Sequence, residues 1–200
     1  MTLRPRDLAR RHKWRPRQYP DKFVIIYADP PWSFRNKGKG VVAGGFRSPD
    51  AHYKVMELDD IAAMPVKDIA AKDAILFMWT TNAHLQEALR VIKAWGFEYK
   101  TNIVWTKDKI GFGFYIRNKH ELLLIAERGN FRCPKHANRP HSHIIADRRR
   151  HSQKPDEAYE YIERMYPNVG PKIELFARNT RPGWFSWGNE IRNSPKLFAA

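Results

Sequence analysis

Phe23-Val24-Ile25-Ile26-Tyr27-Ala28-Asp29-Pro30-Pro31-Trp32 passes from a wholly apolar run into an acid, two prolines and an indole. The first six residues are β-branched or aromatic apart from the last. An unbroken apolar run of that length has the pattern of a strand buried on both faces. Proline lacks the N–H that a sheet ladder needs and fixes φ, so the strand must stop in a rigid turn. In open α/β sheets, ligands bind outside the carboxyl ends of the strands. An acid, a stiff turn and a flat ring at such an end therefore make a candidate reactive centre. The plainer alternative is a Pro-Pro turn whose Trp32 merely packs.

Before the strand, residues 1–20 are basic and proline-containing, without periodicity. They are expected to form a flexible arm that either binds nucleic acid or is simply solvated. After it, Lys37, Gly38, Lys39, Gly40, Gly44 and Gly45 predict a flexible loop. Glu57 to Ile61 opens a short helix that Pro65 closes. Ala74 to Trp79 is a second buried strand. Thr81 or Asn82 can cap the next helix, where Leu85, Ala88, Leu89, Ile92 and Trp95 keep helical spacing and Gly96 takes the C′ place. Phe97 to Thr106 and Glu121 to Ala126 read as the third and fourth strands. A long basic connection then leads to Pro155, which suits the first position of a helix with Asp156 and Glu157 in its first turn. Lys172 to Ala177 is a last buried strand and Pro182-Gly183-Trp184 a turn. Alternating strands and helices predict an α/β fold with a mainly parallel sheet covered on both faces. The domain spans 21–193, with the arm before it and a tail at 194–200.

Composition points to a partner. Lys and Arg number 36 against 21 Asp and Glu, a formal charge of +15, and a field of that sign attracts polyanions. Nucleic acid is the expected partner. No transmembrane-length apolar run and no basic amphipathic helix suggests a membrane. The basic N-terminus contains no signal-peptide core, and a single cysteine, Cys133, forbids an internal disulfide, so the expected compartment is the cytoplasm. Cys133, His136, His141 and His143 lack a common zinc spacing, and no metal is expected. They are read as part of a basic loop facing phosphates. Gly111-Phe112-Gly113-Phe114-Tyr115 with Arg117, Asn118 and Lys119 reads either as an aromatic-basic loop for unstacked bases, with Arg117 and Lys119 as substrate contacts, or as a hairpin with an apolar face.

The Asp-Pro-Pro-Trp sequence suits one chemistry well. Adenine's exocyclic nitrogen is a poor nucleophile because its lone pair is delocalised into the ring. A carboxylate (Asp29) and a rigidly held carbonyl (Pro30, stiffened by Pro31) can accept its two N–H bonds and free that lone pair for a methyl donor. Trp32 offers a face for the base. A duplex substrate would have to be flipped, and a single strand would bind more cheaply.

Lys22 to Trp32 resembles the catalytic strand and loop of the MT-A70 adenine methyltransferases. The likeness continues through Ala74 to Lys107, Ser152-Gln153-Lys154-Pro155-Asp156-Glu157, Lys172 to Arg178 and Trp187-Gly188-Asn189-Glu190. It implies a Rossmann-like class I methyltransferase fold in permuted order, with the catalytic strand first and the cofactor strand last. It also implies an S-adenosylmethionine site lined by Asp29, Lys154, Arg178, Asn189 and Glu190, a Tyr53 near the target base, and pairing of two copies near the site. The residues give separate support. Lys154 sits at the positive end of a helix, where a cation is disfavoured; it either meets an anion, such as the cofactor's carboxylate or a substrate phosphate, or swings into solvent. Glu190 is suited to bridging ribose hydroxyls. One departure stands out: Ala177-Arg178-Asn179-Thr180 lacks the glycine-rich loop common after a cofactor strand.

The expected activity is methyl transfer to adenine N6 in DNA, with RNA as the alternative substrate. A catalytically silent nucleic-acid-binding subunit is the rival of a different class, although such subunits typically lose the acid or the prolines. Cytosine-N4 transfer would favour Ser in place of Asp29. A small-molecule amine substrate would leave the charge unexplained. Specificity for a short motif is expected to rest on residues 107–120 and 128–151.

Overall fold

The computed structural model describes residues 20–33, 55–111, 115–149, 153–191, 194 and 197. Among these residues seven strands form one sheet: β1 Phe23–Ala28, β2 Ala70–Thr80, β3 Glu98–Thr106, β4 His120–Arg128, β5 His143–Ile145, β6 Lys172–Leu175 and β7 Phe185–Trp187. Their spatial order is β5-β3-β4-β2-β1-β6-β7. β4 runs antiparallel to both its neighbours, and every other pairing is parallel. The expected α/β class and mainly parallel sheet are what is found. Among the described residues three α-helices, α1 Leu58–Ala63, α2 Leu85–Ala94 and α3 Glu157–Met165, complete the layers.

Side chains alternate across a strand, so a run that is apolar at every position needs cover on both faces. In β1, Ile26 and Ala28 join Leu76 and Met78 of β2 beneath α1 and α2, where Ile61, Ala88, Val91 and Ile92 pack down. Ile25 and Tyr27 face the other way with Ile75, Phe77 and Trp79, beneath Ala158, Ile162 and Met165 of α3. Each fully buried side chain of this size stabilises the fold by about 1.5–3 kcal/mol relative to exposure. The layer over α1 and α2 is also fastened by the Trp95 indole N–H, which donates to the Ile61 carbonyl at 2.9 Å. Gly96 has φ +80°, the left-handed conformation expected of a C′ residue.

Several expectations need correction. Thr81 does not cap α2; its hydroxyl bonds the His84 ring, and a 3-10 turn over Asn82–His84 precedes the helix. Hydrogen-bonded α3 begins at Glu157, and Pro155 lies two residues ahead, its carbonyl accepting the Ala158 N–H at 3.3 Å. The basic connection between β4 and α3 is not all loop, since β5 lies within it on the edge of the sheet, with Ile144 buried and Ile145 exposed. The turn at 182–184 leads directly into β7. β6 stops at Leu175, two residues early, because Phe176 has φ +64°. Among the described residues no helix is long and apolar enough to cross a membrane. The expected arm lies outside the described residues except at Pro20.

Candidate active site

β1 delivers Asp29 to the carboxyl edge of the sheet, beside the end of β6: the Asp29 N–H reaches toward the Leu175 carbonyl at 3.5 Å. The next three residues form a turn fixed from several sides. The Trp32 N–H donates to the Pro30 carbonyl at 2.9 Å, and the Pro31 carbonyl accepts the Met56 N–H at 2.9 Å. The Trp32 indole N–H donates to the Trp79 carbonyl at 3.1 Å. Its ring is stacked on His84, with centroids 5.9 Å apart and planes 14° apart, and is only 7% exposed. An open aromatic platform was expected here. The structure instead makes Trp32 a buttress under the turn.

His84 carries this buttress and was not anticipated. Its Nε2 lies 3.2 Å from the Ser33 carbonyl, and its Nδ1 lies 2.9 Å from the Thr81 hydroxyl. A carbonyl can only accept, so Nε2 bears the proton and, in the neutral ring, Nδ1 accepts from Thr81. Both ring nitrogens thus hold the exit of the turn to the end of β2.

The electrostatics centre on Lys154. Its ammonium lies 2.8 Å from each carboxylate oxygen of Asp29 and 3.4 Å from Glu121, with the Trp79 ring 5.7 Å away. The lysine ahead of α3 is thus not in solvent: the anions it meets are the chain's own Asp29 and Glu121. Lys107 pairs with Glu121 from the other side, so four charges alternate in sign from Lys107 to Asp29. Burial raises the Asp29 carboxyl above the ordinary aspartate range, and Lys154 pulls part of that rise back. Burial would also raise Glu121, but Lys154 and Lys107 together bring it below the usual glutamate value. For Lys154, burial opposes the charge, but Asp29 and Glu121 outweigh it and hold the group well above the usual lysine range. Arg149 steadies the segment by donating to the Lys154 carbonyl at 3.0 Å while pairing with Asp156 at 2.7 Å.

The second wall comes from β6 and β7. A left-handed bulky residue is an outlier that the surroundings must enforce. Phe176 is held there with its ring edge-on to Trp187, 5.7 Å away. The kink brings Ala177 against Gly188: a Cβ on Gly188 would lie 2.0 Å from the Ala177 carbonyl oxygen. No glycine-rich loop follows β6; the close backbone approach is supplied by the glycine after the neighbouring strand, β7. Beyond it, Arg178 pairs with Glu190 at 3.5 Å, and Asn189 is exposed. On the same wall, Glu174 of β6 accepts the Tyr159 hydroxyl, and burial pushes its carboxyl up to about 7.

The structure therefore gathers Asp29, Pro30, Pro31, Trp32 and Lys154 at the ends of β1 and β2, with Arg178 and Glu190 at the ends of β6 and β7. Arg117 and Lys119 are exposed on the loop between β3 and β4; the Arg117 guanidinium donates to the Gly111 carbonyl at 3.1 Å. Tyr53 lies outside the described residues. Glu121 and Glu174 were missed as site residues. Each had a signal, a carboxylate opening or interrupting an otherwise apolar strand.

Residues 23–190 match the family model MT-A70. The chain is 36% identical over 183 residues to the Type II methyltransferase M.MunI of Mycoplasma sp, covering 85% of this chain and 78% of that protein. It is 30% identical over 182 residues to the N(6)-adenosine-methyltransferase MT-A70-like protein of Drosophila melanogaster, covering 85% of this chain and 27% of that one. The chain thus spans most of the first relative and about a quarter of the second. With a family match running from the start of β1 to Glu190, it belongs to the MT-A70 family.

Proposed function

We propose that this protein transfers a methyl group from S-adenosylmethionine to the N6 amino group of adenine in DNA. The observation that carries this reading is the Asp29 carboxylate, gripped by Lys154 at the head of a turn that proline, Trp32 and His84 make rigid. Similarity to a Type II methyltransferase over most of both chains supports DNA as the polymer. The charge of +15 suits either nucleic acid.

The charged groups fit the cofactor. It presents a carboxylate together with cationic centres and ribose hydroxyls, and the strand ends offer Lys154 and Arg178 as cations with Asp29 and Glu190 as anions, beside the amide of Asn189. When bound, S-adenosylmethionine supplies an electrophilic methyl group. The chain's own task is to prepare the nitrogen. Each Asp29 oxygen has lone pairs beyond those used by Lys154, so one can accept an N6–H. The Pro30 carbonyl gives one lone pair to the Trp32 N–H and retains another for the second N6–H. As that methyl passed to N6, positive charge would grow on the nitrogen, and the Asp29 carboxylate would offset it and accept the departing proton. A carboxyl raised above its ordinary range is the better acceptor for that proton.

The test is transfer of labelled methyl to matched adenine-containing DNA and RNA, single- and double-stranded. Label should appear on the adenine amino group of DNA, and Asp29→Ala should lower the rate about a hundredfold to a thousandfold. A wild-type protein that binds nucleic acid but neither binds the cofactor nor transfers label would be a silent partner subunit, and the enzyme reading would fall. RNA is the second reading, favoured by the N(6)-adenosine in the name of the Drosophila relative. Faster transfer to RNA than to DNA would select it.

A further inference from the structure

Large apolar side chains are seldom left fully in water, and a group of them at one place marks a contact surface. Five stand exposed among the described residues. Four of these, Ile110 at 59%, Tyr115 at 102%, Ile116 at 65% and Ile145 at 77%, belong to one corner of the sheet. Ile145 is in register with Thr106, the last residue of β3, and the other three lie on the loop that leaves β3 immediately afterwards.

The root of that loop is built firmly. The Lys107 N–H donates to the Lys119 carbonyl at 2.8 Å, and the Gly111 N–H donates to the Asn118 carbonyl at 2.6 Å. The Asn82 amide, just past β2, donates to the Asn118 side-chain oxygen at 3.1 Å. The side chain of Lys107 continues through Glu121 and Lys154 to Asp29. A well-fixed root, joined to Asp29 through Glu121 and Lys154, therefore carries exposed apolar side chains at Ile110, Tyr115 and Ile116, and the exposed cations Lys109, Arg117 and Lys119 flank them.

That pairing of charge and apolar surface selects the occupant. A protein groove would match Tyr115 and Ile116 but would leave the cations without a role. A polyanion with stackable faces satisfies both. We propose that Tyr115 and Ile116 act as a wedge that enters the base stack of duplex DNA beside the target adenine and fills the space the flipped base leaves, while Arg117 and Lys119 hold the adjoining phosphates. The proposal rests on the methyltransferase reading and refines it by making the duplex the substrate for which this loop is built. Extracting a base breaks its stacking on both neighbours, and an inserted side chain restores part of that contact. A single strand needs no such help.

The experiment compares wild type, Tyr115→Ala, Ile116→Ala and Tyr115→Phe on one adenine-containing strand, alone and annealed to its complement. A second duplex carries 2-aminopurine at the target position and reports flipping by fluorescence without any methyl transfer. Both alanine variants should lose about tenfold in kcat/KM on the duplex, at least about fivefold more than on the single strand, and should brighten 2-aminopurine less. Tyr115→Phe should behave as wild type. Equal losses on both substrates, or none, overturn the wedge. So does conversion of a wild-type dimer into a monomer by Tyr115→Ala, which would assign the tip to a second copy of the chain. Flipping that depends on Tyr115 in a protein that transfers no methyl would sustain the wedge and sink the methyltransferase reading.

Discussion

Replacing Glu174 by Gln should stabilise the protein near pH 8 and change it little near pH 4.5. Glu174 lies on β6 in register with Tyr27 on one side and Ser186 on the other. Burial pushes its carboxyl from 4.5 up to about 7, the Tyr159 hydroxyl offsets part of that rise, and the charge of Asp29 adds to it. The sign follows from proton uptake. Between these two values the folded chain holds a proton that the unfolded chain releases, so stability is fully present below about 4.5 and is lost as pH rises through about 7. A difference of about 2.5 corresponds to about 3 kcal/mol. Glutamine has nearly the same shape, can still bond Tyr159 and never ionises. The gain from Glu174→Gln should therefore grow from near zero at the acid end to about 2–3 kcal/mol above neutrality. Urea unfolding of both proteins at several pH values, with unchanged m, reads this directly. A gain that is the same at every pH, or a loss that deepens toward pH 8, would refute burial of the charged form as the cause.

Two further substitutions test the walls of the site. Gly188→Ala places a methyl against the Ala177 backbone, where no side chain can swing away; it should cost about 1–3 kcal/mol or more in chemical denaturation and weaken cofactor binding by calorimetry, and an unchanged protein would mean that this approach is not needed. His84→Phe keeps a ring on Trp32 but abandons the Ser33 carbonyl and the Thr81 hydroxyl; stability should fall by about 1–3 kcal/mol and kcat should fall more than KM rises, whereas a loss confined to KM would remove His84 from the support of the turn.

Some of this structure was legible because single segments carried it. β1 and the core of β2 are apolar at every position, and only cover on both faces allows that. Gly96 and Pro65 ended helices by their own backbone geometry. What could not be read were features that depend on distant partners. The three-residue strands β5 and β7 have no periodicity to detect; each exists because an edge of the sheet offers it a ladder. Phe176 reads as a strand residue by propensity and is turned over by Trp187 and Gly188. Thr81 reads as a cap, but the His84 ring outcompetes the helix for its hydroxyl. In the site, Asp29 and Lys154 announced themselves through a rigid turn and an ill-placed cation. Glu121 did not, because its role depends on an antiparallel strand bringing it to Lys154.

That dependence explains why the charges alternate. Burial alone would drive Asp29 toward its protonated form, which accepts an N6–H more weakly and cannot take up the departing proton. Lys154 limits that drift, but a lysine side chain only 12% exposed and set against a ring would itself tend to discharge unless a second carboxylate shared it. Glu121 is that second carboxylate, and being buried too, it requires Lys107. Each ion is kept charged by the next, and the series ends where Lys107 meets solvent at the root of the β3–β4 loop. Removing an interior member leaves its neighbour buried and unpaired, the arrangement that costs most. The charge state of Asp29 is therefore set by three other residues, Lys107 just after β3, Glu121 of β4 and Lys154 ahead of α3, which is why a ten-residue stretch could point to the chemistry yet not to the groups that hold it in its working state.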